Sequence, residues 1–292
     1  MKQIDINTKL ITLIGTPLRQ SFAARMQNAG YRAANLNYLY YYTEADSTHL
    51  KEIIDGIRYM PSYAGCAVTK PNKVAVMQYL DEVDPLCGKI GSCNTVLRTE
   101  EGKLRGYNTD ALGFYRSLVE NGKMEAEGKT FFCFGAGGVG RAICCILADQ
   151  GADKVYITDI YPEAAEQLAA DINNFVPEEK KPVAVVVPHG TFDLVPECDC
   201  VINASGIGFG STVGQTPVPK EYLRKGQLCF DACYNPPETK FLKHARSLGL
   251  RTLNGLWMSL FQGVAQVELW TGKKAPIDAM RDELLTILAT SK

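Results

Sequence analysis

Short apolar runs and helix-period segments alternate along the chain. "LITLIGTP" (10–17) is apolar up to a Gly-Thr-Pro turn and predicts a buried strand. "FAARMQNAGYRAA" (22–34) has helical spacing. "NYLYYYTEA" (37–45) predicts a second strand, rich in aromatic β-formers. "STHLKEIIDGIRYM" (47–60) predicts a helix with Ser47 as its N-cap, and "YAGCAVT" (63–69) a third strand. "GSCNTVLRTEEGKLRGYNTD" (91–110) reads as a hairpin around Glu101-Gly102. "ALGFYRSLVENGK" (111–123) is a helix ending near Gly122, followed by the polar stretch "KMEAEGK"; the first domain boundary is expected near that stretch, with the helix itself as a candidate connector.

The second half repeats the alternation. "TFFCFGAGGVGRAICCILADQGADKVYITD" spells strand, glycine turn, helix and strand. Further strands are expected at 182–187, 198–205 and 228–234, and helices at 238–249, 255–272 and 276–288. The longest irregular stretch, 206–220, is expected to be a mobile loop beside a site. Together these patterns predict an α/β fold with largely parallel sheets.

At 292 residues the chain is long enough for two domains. Its 46% hydrophobic content is ample for packed cores. A formal net charge of −1 without a basic stripe argues against nucleic acid as a partner. The opening "MKQIDINTKLITLIGTP" lacks the basic-then-apolar pattern of a signal peptide, and no stretch approaches the ~20 apolar residues of a membrane span. The expected location is the cytoplasm, with no membrane partner. The ten cysteines are then expected to be mostly free thiols. Cys198 and Cys200 form a C-x-C, but no second Cys/His pair follows at zinc spacing, so no metal is expected. The three histidines, His49, His189 and His244, lie outside any motif, which disfavours a histidine base.

Gly135-Ala136-Gly137-Gly138-Val139-Gly140 contains G-x-G-x-x-G. The apolar strand before it and the apolar helix after it supply the context that a dinucleotide fingerprint requires. Its glycines allow a tight turn and let backbone N–H groups approach a pyrophosphate at the helix N-terminus. The next strand ends at Asp159, near the spacing of the acid that bonds the adenosine ribose hydroxyls. A carboxylate there repels a 2′-phosphate, and no Arg or Lys follows in "DIYPEAAEQ". The expected cofactor is NAD rather than NADP, with Arg141 the nearest basic alternative. The competing role for Asp159 is a helix cap before Pro162.

A nicotinamide domain needs a partner that holds substrate. Polar groups at strand and turn ends of the first domain include Ser21, Thr69, Lys73, Asn94 and Asp110. Lys73 and Asp110 can handle the hydroxyl proton that must move as hydride leaves an alcohol. Spacing alone leaves Lys73, and Lys70 beside it, open to the plainer reading of solvated loop lysines.

The motifs together resemble the shikimate/quinate dehydrogenase family over essentially the whole chain. "IGTPLRQSFAARMQN" is similar to G-x-P-x-x-H-S-x-S-P-x-x-H-N, and "AVTKPNK" to N-V-T-x-P-x-K. "GSCNTV", "GYNTDALGF", "GAGGVGRA", "VINASGIG", "FDACYNPPETKFL" and "NGLWMSLFQGVAQVELWTG" follow in the family's order. The resemblance implies two α/β domains with a cleft between them: a substrate-binding catalytic domain, 1–112 plus 254–292, and a Rossmann-type NAD(P)-binding domain, 113–253. It implies that Lys73 and Asp110 form the catalytic pair, with Lys70 on a variable position. Thr69, Asn94 and Gln262 would bond substrate hydroxyls, and Ser21 and Tyr234 the substrate carboxylate. Gly135, Ala136, Gly137, Gly138, Val139, Asp159 and Ser205 would hold the nucleotide, with Ala232 and Gly255 beside the nicotinamide. The implied partner is a small molecule, shikimate or quinate, and the chain a monomer or homodimer.

Three departures from the pattern stand out. The second serine is Ala23 and the Pro after it Ala24; the His before the first serine is Gln20; the Asn of N-V-T is Ala67. A missing hydrogen bond to a charged carboxylate is worth about 1.5–3 kcal/mol, roughly tenfold to a hundredfold in affinity. The family's NADP form carries an Asn-Arg pair where this chain has Asp159-Ile160. The expected activity is an NAD-dependent interconversion of shikimate and 3-dehydroshikimate, or of quinate and 3-dehydroquinate, with altered substrate choice. The alternatives are a specialised enzyme for an aminoshikimate or related cyclic polyol acid, and a nucleotide-binding regulator without catalysis.

Overall fold

The computed structural model describes residues 4–19 and 21–290. The chain divides into two compact units, Met1–Thr109 with Gln262–Lys292, and Asp110–Phe261. The divisions fall at 109/110 and 261/262, where the family pattern placed them at 112/113 and 253/254.

The first unit is built on one six-stranded sheet, order β2-β1-β3-β5-β6-β4. Its strands are β1 (Lys9–Gly15), β2 (Tyr38–Glu44), β3 (Tyr63–Val68), β4 (Glu82–Val83), β5 (Thr95–Arg98) and β6 (Leu104–Tyr107). β1, β2 and β3 run parallel, whereas β5 is antiparallel to both β3 and β6. Helices α1 (Ala23–Ala33), α2 (Leu50–Tyr59) and α3 (Pro85–Ile90) come from this unit's first segment and α9 (Ile277–Thr290) from its second. α1 lies against α9, with Arg25 and Glu283 paired at 2.8 Å. Ile14, Ile54, Ile57, Val68, Val76 and Val96 share one core. The outer edge of β2 is blocked: Asn28 accepts the Tyr40 N–H at 2.9 Å and donates to its carbonyl at 2.8 Å. Tyr40 is thereby withdrawn from pairing with a further strand.

The antiparallel β5 positions the site. Ala67 pairs with Thr95, and Thr95 with Tyr107. The chain therefore leaves β3, enters β5 and leaves β6 at one edge, which gathers Thr69, Asn94 and Asn108 there.

The second unit has a six-stranded, fully parallel sheet, order β12-β11-β10-β7-β8-β9. It comprises β7 (Thr130–Phe134), β8 (Lys154–Thr158), β9 (Ala184–Val186), β10 (Cys200–Asn203), β11 (Leu228–Asp231) and β12 (Arg251–Asn254). β10 and β11 are buried throughout, which is why they read as continuous apolar runs. Helices α4 (Thr109–Glu120), α5 (Gly138–Asp149), α6 (Pro162–Phe175), α7 (Lys240–Ser247) and α8 (Gly255–Thr271) complete the fold. α4 opens at the first division and α8 carries the chain across the second. Phe114 of α4 meets Phe230 of β11 edge-on at 4.9 Å. Chain order reverses between β10 and β7, which makes the carboxyl end of β7 a topological switch point.

The hairpin at 91–110 forms as its pattern predicts, with Gly102 at φ 84°. Ser47 is not the N-cap of α2. That helix begins after His49 without a side-chain cap, because Asp46 takes the Thr48 N–H at 2.8 Å and forms a turn there instead. β4, α3 and β12 are unanticipated short elements. α3 carries a legible frame all the same: Asp84 accepts the Leu86 N–H, Pro85 follows, and Gly91 closes at φ 72°. All ten cysteines are free and buried. Among the described residues no helix is long and apolar enough to cross a membrane.

Candidate active site

Thr69, Lys73 and Asn94 converge at the carboxyl edge of the first sheet. The Thr69 N–H donates to the Ile14 carbonyl at 2.9 Å, and the Thr16 N–H to that of Lys70 at 2.9 Å. Asn72 turns the chain: its N–H donates to the Thr69 carbonyl at 2.9 Å and its buried side chain to the Ala45 carbonyl at 3.0 Å. The next residue is Lys73, whose carbonyl accepts the Cys93 N–H at 2.8 Å. This bond stitches the lysine loop to the residue before Asn94. Lys73 is half-buried whereas Lys70 is exposed, so the two lysines of "AVTKPNK" occupy different environments. The Cys93 thiol is drawn below its usual range, mainly by the Cys87 thiol, with the Lys73 ammonium adding to the effect.

Asn94 is 3% exposed, and its orientation is fixed. Oδ1 accepts the Thr109 N–H at 2.8 Å and the hydroxyls of Thr95 at 2.8 Å and Thr109 at 3.1 Å. The Nδ2 amino group donates to no group among the described residues. Asp110 directly follows Thr109 in the first turn of α4, where the helix dipole favours a carboxylate.

Ser21 precedes α1. Its carbonyl accepts the Tyr42 hydroxyl at 2.8 Å, and Tyr42 accepts the Ala24 N–H at 3.1 Å. Ser21 Oγ accepts the Ala23 N–H at 3.3 Å. Tyr42 therefore braces the start of α1. Gln20 lies outside the described residues. Ala67 is buried within β3. Gln262 is half-buried in α8.

In the second unit the nucleotide candidates line the carboxyl edge of the parallel sheet. The turn after β7 requires glycine at two points. Gly135 has φ +107°, and a Cβ there would lie 2.7 Å from the Ala204 carbonyl carbon. A Cβ on Gly140 would lie 1.9 Å from the Gly135 oxygen. A Cβ on Gly137 or Gly138 would meet nothing within 4 Å, and Gly137 caps α5 without a side chain. Open space in front of an uncapped helix N-terminus fits a pyrophosphate. Val139 continues the first turn of α5. Asp159, past the end of β8, accepts the Ala136 N–H at 2.6 Å and the Tyr161 N–H at 2.9 Å. It bonds the glycine turn as well as the approach to α6, whose own N-cap is Tyr161.

The loops after β10 and β11 share a buried anchor that the motifs alone did not single out. Asp231 is 0% exposed and accepts from Thr239 Oγ1 at 2.6 Å, the Cys233 N–H at 2.9 Å and Asn203 Nδ2 at 3.0 Å. Asn203 also accepts the Ser205 hydroxyl at 2.7 Å and donates to the Ile207 carbonyl at 2.8 Å. Burial raises the Asp231 carboxyl, while these three donors pull it back. The anchor holds Ser205, Ala232 and Tyr234 at one edge. Burial also raises the Tyr234 phenol. Gly255 packs on Ala232 so closely that a Cβ would sit 1.9 Å from the Ala232 oxygen. An acid ending the apolar run "LCFD" was the available signal for Asp231. In the 206–220 loop, Gly208 N–H donates to Thr212 Oγ1 at 3.0 Å. Among the described residues no cluster of His, Cys, Asp and Glu could hold a metal ion.

A glycine turn at the switch point of a parallel sheet, with an acid after the next strand, defines a Rossmann-type dinucleotide-binding unit. The family model of the shikimate dehydrogenase substrate binding domain matches residues 13–96, and that of the shikimate 5′-dehydrogenase C-terminal domain residues 255–285. A shikimate dehydrogenase (NADP(+)) of Desulforamulus reducens is 40% identical over 97% of this chain and 96% of its own. The shikimate 5-dehydrogenase of Listeria monocytogenes, solved with shikimate and NAD, is 32% identical with a TM-score of 0.91, covering 97% of this chain and 99% of that one. The quinate dehydrogenase of Corynebacterium glutamicum, solved with NAD, is 32% identical with a TM-score of 0.88, covering 96% and 99%. The chain belongs to the shikimate/quinate dehydrogenase family and is an NAD(P)-dependent alcohol oxidoreductase.

Proposed function

We propose that the protein interconverts shikimate and 3-dehydroshikimate, with most of the groups that hold the acid in the first unit and those that hold the dinucleotide in the second. The observation that carries this reading is the convergence of Thr69, Lys73 and Asn94 at one sheet edge in a chain 40% identical to a shikimate dehydrogenase. Lys73 exchanges a proton with the reacting hydroxyl, and Asp110 orients it and tunes its charge. Thr69, Asn94 and Gln262 bond the ring hydroxyls, while Ser21 and Tyr234 receive the carboxylate. Gly135, Ala136, Gly137, Gly138, Val139 and Ser205 hold the nucleotide, and Ala232 and Gly255 flank the nicotinamide. When bound, the nicotinamide supplies the acceptor or donor of hydride.

NAD is the proposed cofactor. The relatives' names lean towards NADP(+), whereas the chain's own residues favour NAD. Asp159 stands at the ribose position, and Arg141, the nearest alternative cation, is paired with Asp171. Quinate is a second reading, favoured by Ala23, which leaves carboxylate recognition one hydroxyl short of the family pattern.

The test is steady-state kinetics with shikimate and quinate, each with NAD and NADP, for wild type and Lys73→Ala. Turnover is expected with NAD, and Lys73→Ala should lose about 10²–10⁴ in kcat while still binding nucleotide. An undiminished kcat in the variant would remove Lys73 from the chemistry.

A further inference from the structure

Gln27 of α1 and Gln266 of α8 are both buried, at 0% and 3% exposure. Two amide side chains facing each other in a helix contact are costly to desolvate. One polar atom is left unsatisfied: Gln27 Oε1 is buried without a partner. Burial of that kind calls for an explanation other than stability.

The polarity of the network supplies one. Gln27 Nε2 donates to the Gly263 carbonyl at 3.2 Å and to Gln266 Oε1 at 2.9 Å. A backbone carbonyl can only accept, so the Gln27 amide has one allowed orientation. Gln266 then presents Oε1 to Gln27 and Nε2 to Thr95 Oγ1, at 2.9 Å. The Thr95 hydroxyl in turn donates to Asn94 Oδ1 at 2.8 Å, and it also lies 3.1 Å from the Thr109 hydroxyl. From the opposite side the Thr109 N–H, which can only donate, reaches the same Oδ1 at 2.8 Å. The Thr109 N–H end fixes the sense: it forces the Asn94 carbonyl inward and its amino group outward, and the Thr95 hydroxyl, held by Gln266, adds a second donor to that carbonyl.

We propose that Gln266, held by Gln27 and acting through Thr95, is a positioning residue that locks Asn94 with its Nδ2 donors presented to substrate. The inference rests on the substrate role assigned above to Asn94 and extends it to residues that touch no ligand. Gln266 lies one helical turn from Gln262 on the same face of α8, so a single helix face supplies both a direct substrate group and the support for a second.

The experiment uses the paired variant Gln27→Met/Gln266→Met, because replacing both hydrogen-bonding partners by apolar groups of similar shape is close to neutral for folding. Shikimate is the probe, and kcat, KM, calorimetric shikimate affinity, NAD affinity and thermal midpoint are measured. The expected result is a rise of about tenfold in KM for shikimate, with NAD affinity unchanged and a thermal midpoint equal to or above wild type. In an Asn94→Ala background the same pair should weaken shikimate binding no further. Thr95→Val breaks the relay from its other end and should give the same rise, while Thr95→Ser restores the hydroxyl and should approach wild type. These two variants carry the test if the methionine pair does not fold. An unmoved KM in an active protein overturns the inference alone, as does an equal loss in the Asn94→Ala background. A wild type that turns over neither shikimate nor quinate overturns the parent reading, and this inference with it.

Discussion

Asp159 Oδ2 accepts the Ala136 N–H at 2.6 Å, so the acid after β8 is tied directly to the glycine turn after β7. Its other oxygen accepts the Tyr161 N–H at 2.9 Å. With the dinucleotide bound as proposed, a carboxylate fixed beside this turn would set a standing charge against a 2′-phosphate. Two like charges about 4 Å apart repel by a few kcal/mol at a surface-like dielectric. Asp159→Asn combined with Ile160→Arg removes that charge and adds a phosphate donor. The ratio of kcat/KM for NADP over NAD should rise by about a hundredfold or more. A ratio that stays put would mean the ribose is recognised elsewhere.

Ala23 stands in the first turn of α1, two residues from Ser21. Ala23→Ser returns a hydroxyl to a helix N-terminus, where backbone and side-chain donors together favour an anion. KM for a carboxylate substrate should fall by about tenfold with kcat little changed. Equal KM values in the two proteins would show that position 23 does not face the carboxylate.

Thr239 donates to Asp231 at 2.6 Å and also accepts the Leu242 N–H at the start of α7. Thr239→Val keeps the shape and removes both bonds. Loss of a bond to a buried carboxylate together with a helix cap should cost about 2–3 kcal/mol, read as a lower urea midpoint. Freeing the 232–239 loop should also raise KM. Full stability in the variant would mean that the Asp231 anchor is not a stabilising element.

The limits of sequence reading follow from what each feature depends on. The hairpin at 91–110 was legible because a turn glycine sits between two apolar runs. The glycine turn was legible because its neighbours in sequence are also its structural context. Lys73 was not separable from Lys70 by spacing. What distinguishes them is Asn72, held by Ala45, and Cys93, bonded to the Lys73 carbonyl, and both partners lie about twenty or more residues away along the chain. β12 escaped because "RTLN" is four residues with an exposed arginine, too short for a periodic signal. Ser47 failed as a cap because the neighbouring Asp46 accepts the available N–H first. The Gln27–Gln266 network joins helices from opposite ends of the chain, so no local pattern could announce it.

The buried thiols give the protein a predictable response to alkali. Burial pushes Cys198, Cys229 and Cys233 from 9.0 up to about 12. An acid whose folded value is raised stays protonated in the native state while the unfolded chain ionises. Its contribution to stability is therefore whole below pH 9 and is lost as pH rises from about 9 towards 12. Urea midpoints should fall across that window. The fall should be shallower in Cys198→Ala/Cys229→Ala/Cys233→Ala than in wild type, since lysines and tyrosines common to both proteins contribute equally. At pH 8 the native protein should react slowly with a thiol reagent and release all ten equivalents only once unfolded. Parallel pH profiles for the two proteins would mean that these thiols are not held away from water.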